Sequence, residues 1–235
     1  MKTIFFDLDD TLYFRCDAFF QAFEEFFDKT EFPSDEYISI QKKANDRCRI
    51  RGDEVFYQSQ RGEITMDQMY VYRFQNGFAD CNIQITEQQA LDFHSLYKQK
   101  LYSLKLNDDI VKMLDYSKSH FDRIGIITNG PGTHQRNKIK NLGLEKWLDP
   151  DLIIVSGEHK VDKPDLEIFK IAQKLSGKNP EELVFVGDNF NNDIIPAKKL
   201  GWHTVWIDLY NENFPDAEYR VENVSQIINT FNHFI

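Results

Sequence analysis

Cysteine is scarce in this chain, and positive charge is in deficit. Only three cysteines occur, Cys16, Cys48 and Cys81, and none has C-x-x-C spacing. That odd, scattered set supports neither a disulfide framework nor a zinc site, and it fits a reducing cytoplasm. Lys and Arg total 28 against 38 Asp and Glu, a formal net charge of −10. A surface of that sign disfavours nucleic-acid polymers and anionic membranes as partners. No apolar run approaches the length of a membrane span. The start runs straight into an apolar stretch without the basic, apolar and small-residue regions of a signal peptide, so none is expected. Neither G-x-S-x-G nor H-x-x-x-H occurs, and there is no internal repeat or low-complexity linker. What remains is a soluble globular profile, 41% hydrophobic and 28% charged over 235 residues. That length suits one large domain, or a core domain with a smaller companion.

What is present begins with Ile4-Phe5-Phe6-Asp7-Leu8-Asp9-Asp10-Thr11-Leu12. An apolar run ends in two carboxylates one residue apart. Strand residues at i and i+2 share a face, and a turn just after a strand can still aim both into one crevice. Two convergent carboxylates can hold a divalent metal and divide nucleophilic and acid–base work. Taken alone, the pair reads equally well as an acidic turn after a buried strand.

Further short apolar runs at 124–128, 152–155, 183–187 and 204–207 join the one at 3–8 as five buried-strand candidates of a parallel sheet. Helical patterns lie between them. Ile110, Val111, Met113 and Leu114 follow Asn107 as N-cap, Ile168, Phe169, Ala172 and Leu175 follow Lys163-Pro164, and Ile194, Ile195, Ala197 and Leu200 precede a helix-stopping Gly201. Alternating strands and helices predict an α/β, Rossmann-like, three-layer core with a parallel sheet. The stretch 14–104 breaks the alternation and reads as helical, so the domains expected are 1–13 with 105–235, and 14–104. Phe19, Phe20, Phe23, Phe26 and Phe27 recur at helical spacing as a packing face, and Thr65/Gln68 and Thr86/Gln89 have capping-box spacing.

Open α/β sheets bind ligands outside the carboxyl ends of their strands. The polar residues there follow in order: Asp7 and Asp9 after the first strand, Thr128-Asn129-Gly130 after the second, Asp162-Lys163-Pro164-Asp165 after the third, and Gly187-Asp188 through Asp193 after the fourth. Singly, Asn-Gly is an ordinary turn dipeptide and Lys163 an ordinary solvated cation. The segment from Asp188 fails as a calcium loop, with Phe190 at the third position and Asp193 where glycine is needed. Together, several acids and one lysine around one crevice are what a magnesium-assisted phosphoryl site requires.

These four ordered motifs resemble those of the haloacid dehalogenase superfamily: D-x-D-x-T at Asp7–Thr11, a strand-ending Thr at Thr128, Lys-Pro at Lys163-Pro164, and G-D-x-x-x-x-D from Gly187 to Asp193. The helical insert is similar to the family's C1-type cap. The resemblance implies Asp7 as the nucleophile that forms an aspartyl-phosphate and Asp9 as acid and base. It implies magnesium on the Asp7 side chain, the Asp9 backbone carbonyl and Asp188, with Asp193 as a ligand or anchor. Thr128, Asn129 and Gly130 would hold phosphoryl oxygens, and Lys163 would offset the charge of nucleophile and phosphate.

The name-giving dehalogenases lack a carboxylate acid at the second motif position and work without metal, so Asp9 and the Asp188 pair favour a phosphatase. A phosphonatase would need a cap lysine, with Lys29, Lys42 and Lys43 as candidates. A catalytically idle scaffold is the rival from another class, disfavoured because Asp7, Asp9, Lys163 and Asp188 are all present. Short segments, Arg61–Thr65, Arg73-Phe74 and 126–130, resemble pyrimidine 5′-nucleotidases of the family. The resemblance therefore implies a small phosphorylated metabolite as substrate, with pyrimidine nucleotides first and sugar phosphates or phosphoglycolate as the alternative; a cytoplasmic monomer or homodimer is expected. Arg73 and Phe74 are the candidates for the cap side of the pocket, against a packed Phe74 and a solvated Arg73.

Overall fold

The computed structural model describes residues 1–209, 211–212, 214 and 217–234. The chain divides into two compact units, Met1–Phe14 with Lys105–Ile235, and Arg15–Leu104. The first is a three-layer α/β unit. Its strands are β1 (Thr3–Phe6), β2 (Arg123–Thr128), β3 (Ile153–Val155), β4 (Leu183–Gly187), β5 (His203–Ile207) and β6 (Tyr219–Val221). They form one sheet in the order β3-β2-β1-β4-β5-β6, and every pairing is parallel. The chain winds outward from β1 through β2 to β3, then returns to lay β4 on the other side of β1. That reversal is a topological switch point, and it opens a crevice at the carboxyl ends.

Every residue of β1 and β4 is buried, as expected of strands covered on both faces. Phe5, Ile127, Ile154, Phe185, Ile168, Phe169 and Trp202 belong to one apolar cluster. Gly125 makes room for it, because a Cβ there would overlap the Phe5 ring. The other unit holds α1 (Arg15–Phe26), α2 (Tyr37–Gln60), α3 (Met66–Ala79) and α4 (Glu87–Ser103), and the helices of this unit include α5 (Asp108–His120), α6 (Gly132–Asn141), α7 (Ser156–His159), α8 (Leu166–Ser176), α9 (Ile195–Lys199) and α10 (Ile227–Phe231). Asn107 caps α5 by accepting from the Ile110 amide at 2.8 Å.

Several elements depart from the sequence pattern. β1 stops at Phe6, so Asp7 and Asp9 lie beyond it. β3 is preceded by a 3₁₀ turn at Pro150–Leu152. Phe190–Ile194 is a π-helical turn ahead of α9. The edge strand β6 has no apolar run to announce it, since its Tyr-Arg-Val is only partly buried.

The second unit is all helical: α1 (Arg15–Phe26), α2 (Tyr37–Gln60), α3 (Met66–Ala79) and α4 (Glu87–Ser103). Thr65 and Thr86 each close a capping box at the starts of α3 and α4. Phe19, Phe23, Phe74, Phe78 and Phe93 are fully buried against one another, with the Phe78 and Phe93 rings edge-to-face at 4.9 Å. Among the described residues, no helix is long and apolar enough to cross a membrane.

Candidate active site

The Asp7 amide donates to the Val186 carbonyl at 2.8 Å, which extends the β1–β4 ladder by one residue. Asp7 is thereby fixed at the switch point, and it is 6% exposed. The chain then turns through Asp10, whose φ of 60° lies in the left-handed region. Asp tolerates that conformation better than most residues.

Lys163 is the cation at the centre. Its Nζ donates to Asp7 Oδ1 and to Asp193 Oδ1, both at 2.6 Å, and all three side chains are buried. Asn129 sets its backbone: the Asn129 amide nitrogen donates to the Lys163 carbonyl at 2.9 Å, and the Lys163 N–H donates to Asn129 Oδ1 at 2.8 Å. Asp193 also accepts from the Asn189 N–H at 3.1 Å. Gly187 is required here, because a Cβ would overlap the Asp193 carboxylate. Burial pushes the Asp7 carboxyl upward, against the pull of Lys163 and with help from Asp193 and Asp9. Burial alone would depress the Lys163 ammonium, but the carboxylates of Asp193 and Asp7 outweigh it and hold it above the ordinary lysine value.

One carboxylate oxygen from each of Asp7, Asp188 and Asp193 lies within 4.8 Å of the others. Three anionic oxygen donors at one crevice are the donor chemistry that hard divalent cations take. The Asp188 carbonyl accepts from the Trp206 indole at 2.8 Å, which anchors that loop.

The Asp9 carboxylate is not in this triad. Its Oδ1 accepts from Lys138 Nζ at 2.6 Å and from the Tyr13 hydroxyl. Its Oδ2 accepts from Gln135 Nε2 at 2.8 Å, and the same nitrogen donates to Thr128 Oγ1 at 2.6 Å. Sequence reasoning passed over Tyr13, Gln135 and Lys138. One signal was available: α6 reads Gly-Thr-His-Gln-Arg-Asn-Lys-Ile-Lys-Asn, with Ile139 its only apolar side chain, so any buried face of this helix must be polar.

One expected ligand-binding position is otherwise engaged, and Phe74 takes the packed alternative. The Gly130 amide donates to Ser156 Oγ at 2.9 Å, and its carbonyl accepts from Gly157 at 3.1 Å. Those bonds tie the loop to α7 and withdraw that N–H from the expected phosphoryl donors. Phe74 is fully buried in the aromatic core of its own unit, so it offers no face to a base. The Arg73 guanidinium lies 5.0 Å from the Phe74 ring and 5.5 Å from the Tyr97 ring.

The chain is similar to known proteins. A glyceraldehyde 3-phosphate phosphatase of Methanocaldococcus jannaschii is 29% identical over 234 residues, covering 97% of this chain and 96% of that one. The pyrimidine 5′-nucleotidase YjjG of Escherichia coli is 33% identical over 97 residues, 40% of this chain and 42% of its own. Among solved structures, the magnesium-bound HAD-hydrolase YfnB of Bacillus subtilis superposes with a TM-score of 0.68 at 19% identity, over 98% of each chain. Residues 1–201 match the haloacid dehalogenase-like hydrolase family. With four motifs gathered at the carboxyl end of one parallel sheet and a helical cap domain inserted after the first strand, the chain is a haloacid dehalogenase-like hydrolase.

Proposed function

We propose that this hydrolase cleaves phosphomonoesters with magnesium, through an aspartyl-phosphate on Asp7. The observation that carries the reading is the buried Lys163 ammonium, 2.6 Å from Asp7 and from Asp193, beside the three-carboxylate cluster. An anionic nucleophile and a phosphate repel each other, and a preorganised buried cation offsets that repulsion.

An Asp7 oxygen attacks phosphorus. The bond from phosphorus to the ester oxygen breaks, its electron pair leaves on that oxygen, and Asp9 in its acid form supplies the proton. Asp9, now a carboxylate, takes a proton from water as the water oxygen attacks phosphorus. The bond to Asp7 breaks and orthophosphate leaves. Thr128 is proposed to donate its hydroxyl hydrogen to a phosphoryl oxygen. Asp7, Asp188 and Asp193 would hold the magnesium, along with the Asp9 carbonyl that the family resemblance implies. When bound, the ion supplies charge neutralisation at the phosphoryl oxygens. A reducing cytoplasm is part of the reading, supported by the free thiols of Cys16, Cys48 and Cys81.

The substrate proposed is a small sugar phosphate of triose size. Its support is that the M. jannaschii phosphatase aligns over nearly the whole chain, cap included. A pyrimidine nucleotide is the second reading, favoured by the match to the E. coli nucleotidase. The test is phosphate release with magnesium from glyceraldehyde 3-phosphate, phosphoglycolate, glucose 6-phosphate, uridine monophosphate and thymidine monophosphate, compared as kcat/KM. The triose phosphate is expected to lead. A nucleotide in the lead transfers the assignment to the second reading, and no release from any ester or from p-nitrophenyl phosphate removes the phosphatase.

A further inference from the structure

We infer that Gln135 and Lys138 of α6 are positioning residues that fix Asp9 and Thr128 as one preorganised unit. The inference rests on the phosphatase reading and adds two residues outside its four motifs. A surface helix normally turns apolar side chains inward. Here the buried side chains of α6 are Gln135, Lys138 and Ile139, with Gln135 1% and Lys138 8% exposed. Burying an amide and an ammonium costs free energy unless each is satisfied. Gln135 bonds both Asp9 and Thr128, and Lys138 bonds Asp9 as well.

The polarity of the network follows from its donors. The Gln135 amide presents its nitrogen, which only donates, to the Asp9 carboxyl. The two hydrogens on Nε2 then divide between Asp9 Oδ2 at 2.8 Å and Thr128 Oγ1 at 2.6 Å. A hydroxyl that accepts on one lone pair keeps its own hydrogen to donate. Gln135 thus sets Thr128 as a donor and also ties down one oxygen of Asp9. Lys138 takes the other oxygen at 2.6 Å through a charge-assisted bond, which is stronger than a neutral one. Gly130 admits this amide, since a Cβ there would stand 3.2 Å from Gln135 Cγ. The arrangement suits the second half-reaction best, in which Asp9 must be held as an acceptor toward water.

Gln135→Leu and Lys138→Met test it in the whole chain, with magnesium and p-nitrophenyl phosphate. That leaving group departs without an acid, so a defect in Asp9 placement falls on hydrolysis of the aspartyl-phosphate. Each variant is expected to show a rapid burst of nitrophenol, about one per site, followed by a steady rate lowered on the order of 10²-fold, the scale of a misplaced catalytic group. A purely structural defect lowers the active fraction and scales every phase equally, so it creates no burst. Circular dichroism checks folding, and Lys138→Met stands in should Gln135→Leu fail to fold. Linear release at the wild-type rate, or equal loss of both phases in a folded variant, overturns the inference alone. A wild type that hydrolyses no phosphate ester overturns the phosphatase reading, and the inference with it.

Discussion

At the scale of single residues, the carboxylates of the site divide between two cations. Lys163 serves two carboxylates, Asp7 and Asp193, while Asp9 is served by a different cation, Lys138. Two neighbouring aspartates therefore face different partners, as the different roles proposed for them require. Asp7→Asn keeps the shape but removes the carboxylate proposed as nucleophile. Turnover is expected to drop on the order of 10⁴-fold or more, as for other enzymes stripped of their nucleophile, with the far-UV spectrum unchanged. Phosphate release at the wild-type rate from folded Asp7→Asn would end the covalent mechanism. Lys163→Met removes the shared cation and leaves two buried carboxylates without it. In chelator it is expected to cost about 3 kcal/mol of stability, the scale of breaking a buried ion pair, read from urea denaturation.

At the scale of elements, the helical cap domain depends on its caps and its aromatic interior. Thr86 accepts from the Gln89 amide at 3.2 Å while the Gln89 side chain returns to the Thr86 amide at 2.8 Å. Thr86→Ala is expected to cost about 1 kcal/mol, the usual value of an N-cap, and the urea midpoint measures it. On the same helix, His94 stacks on Tyr70 with ring centres 3.4 Å apart, and its Nδ1 is buried without a partner. Burial, reinforced by Arg73 and Lys98, lowers its pKa from 6.5 to about 4. The unfolded chain therefore binds a proton that the folded chain refuses in this window. The stability contributed by the neutral ring is complete above pH 6.5 and is lost as pH falls through about 4. His94→Phe keeps the stack and removes the proton, so its stability should fall less steeply than wild type between these pH values. Parallel pH–stability curves for the two proteins would refute this account.

At the scale of the whole molecule, a chain of net charge −10 gathers three carboxylates at one crevice of its α/β unit. A cation bound only in the folded state stabilises that state by mass action. Added magnesium is expected to raise the melting temperature in a concentration-dependent way, and chelator to abolish phosphatase activity until magnesium is restored. In Asp188→Ala the magnesium-dependent shift should shrink or vanish. Full activity after exhaustive chelation would return the chain to the metal-free dehalogenase reading.

The sequence by itself determined the alternation of strands and helices, the insert after the first strand, and the order of Asp7, Thr128, Lys163 and Asp188 along the chain. Those features are local: buried strands need apolar runs, capping boxes need a fixed spacing, and strand ends need polar punctuation. The sheet order β3-β2-β1-β4-β5-β6 needed the fold, because parallel pairing joins residues far apart in sequence. So did β6, an edge strand whose Tyr-Arg-Val carries no apolar signature. Phe74 illustrates the limit from the other side, since an aromatic has the same composition whether it is buried in a core or set against a ligand. Only tertiary structure decided that Lys163 reaches both Asp7 and Asp193, that Gly130 spends its amide on Ser156, and that Gln135 and Lys138 turn a polar helix face onto Asp9. The reason is physical: a side chain's partners are set by which elements the sheet brings together, and no periodicity along the chain encodes that.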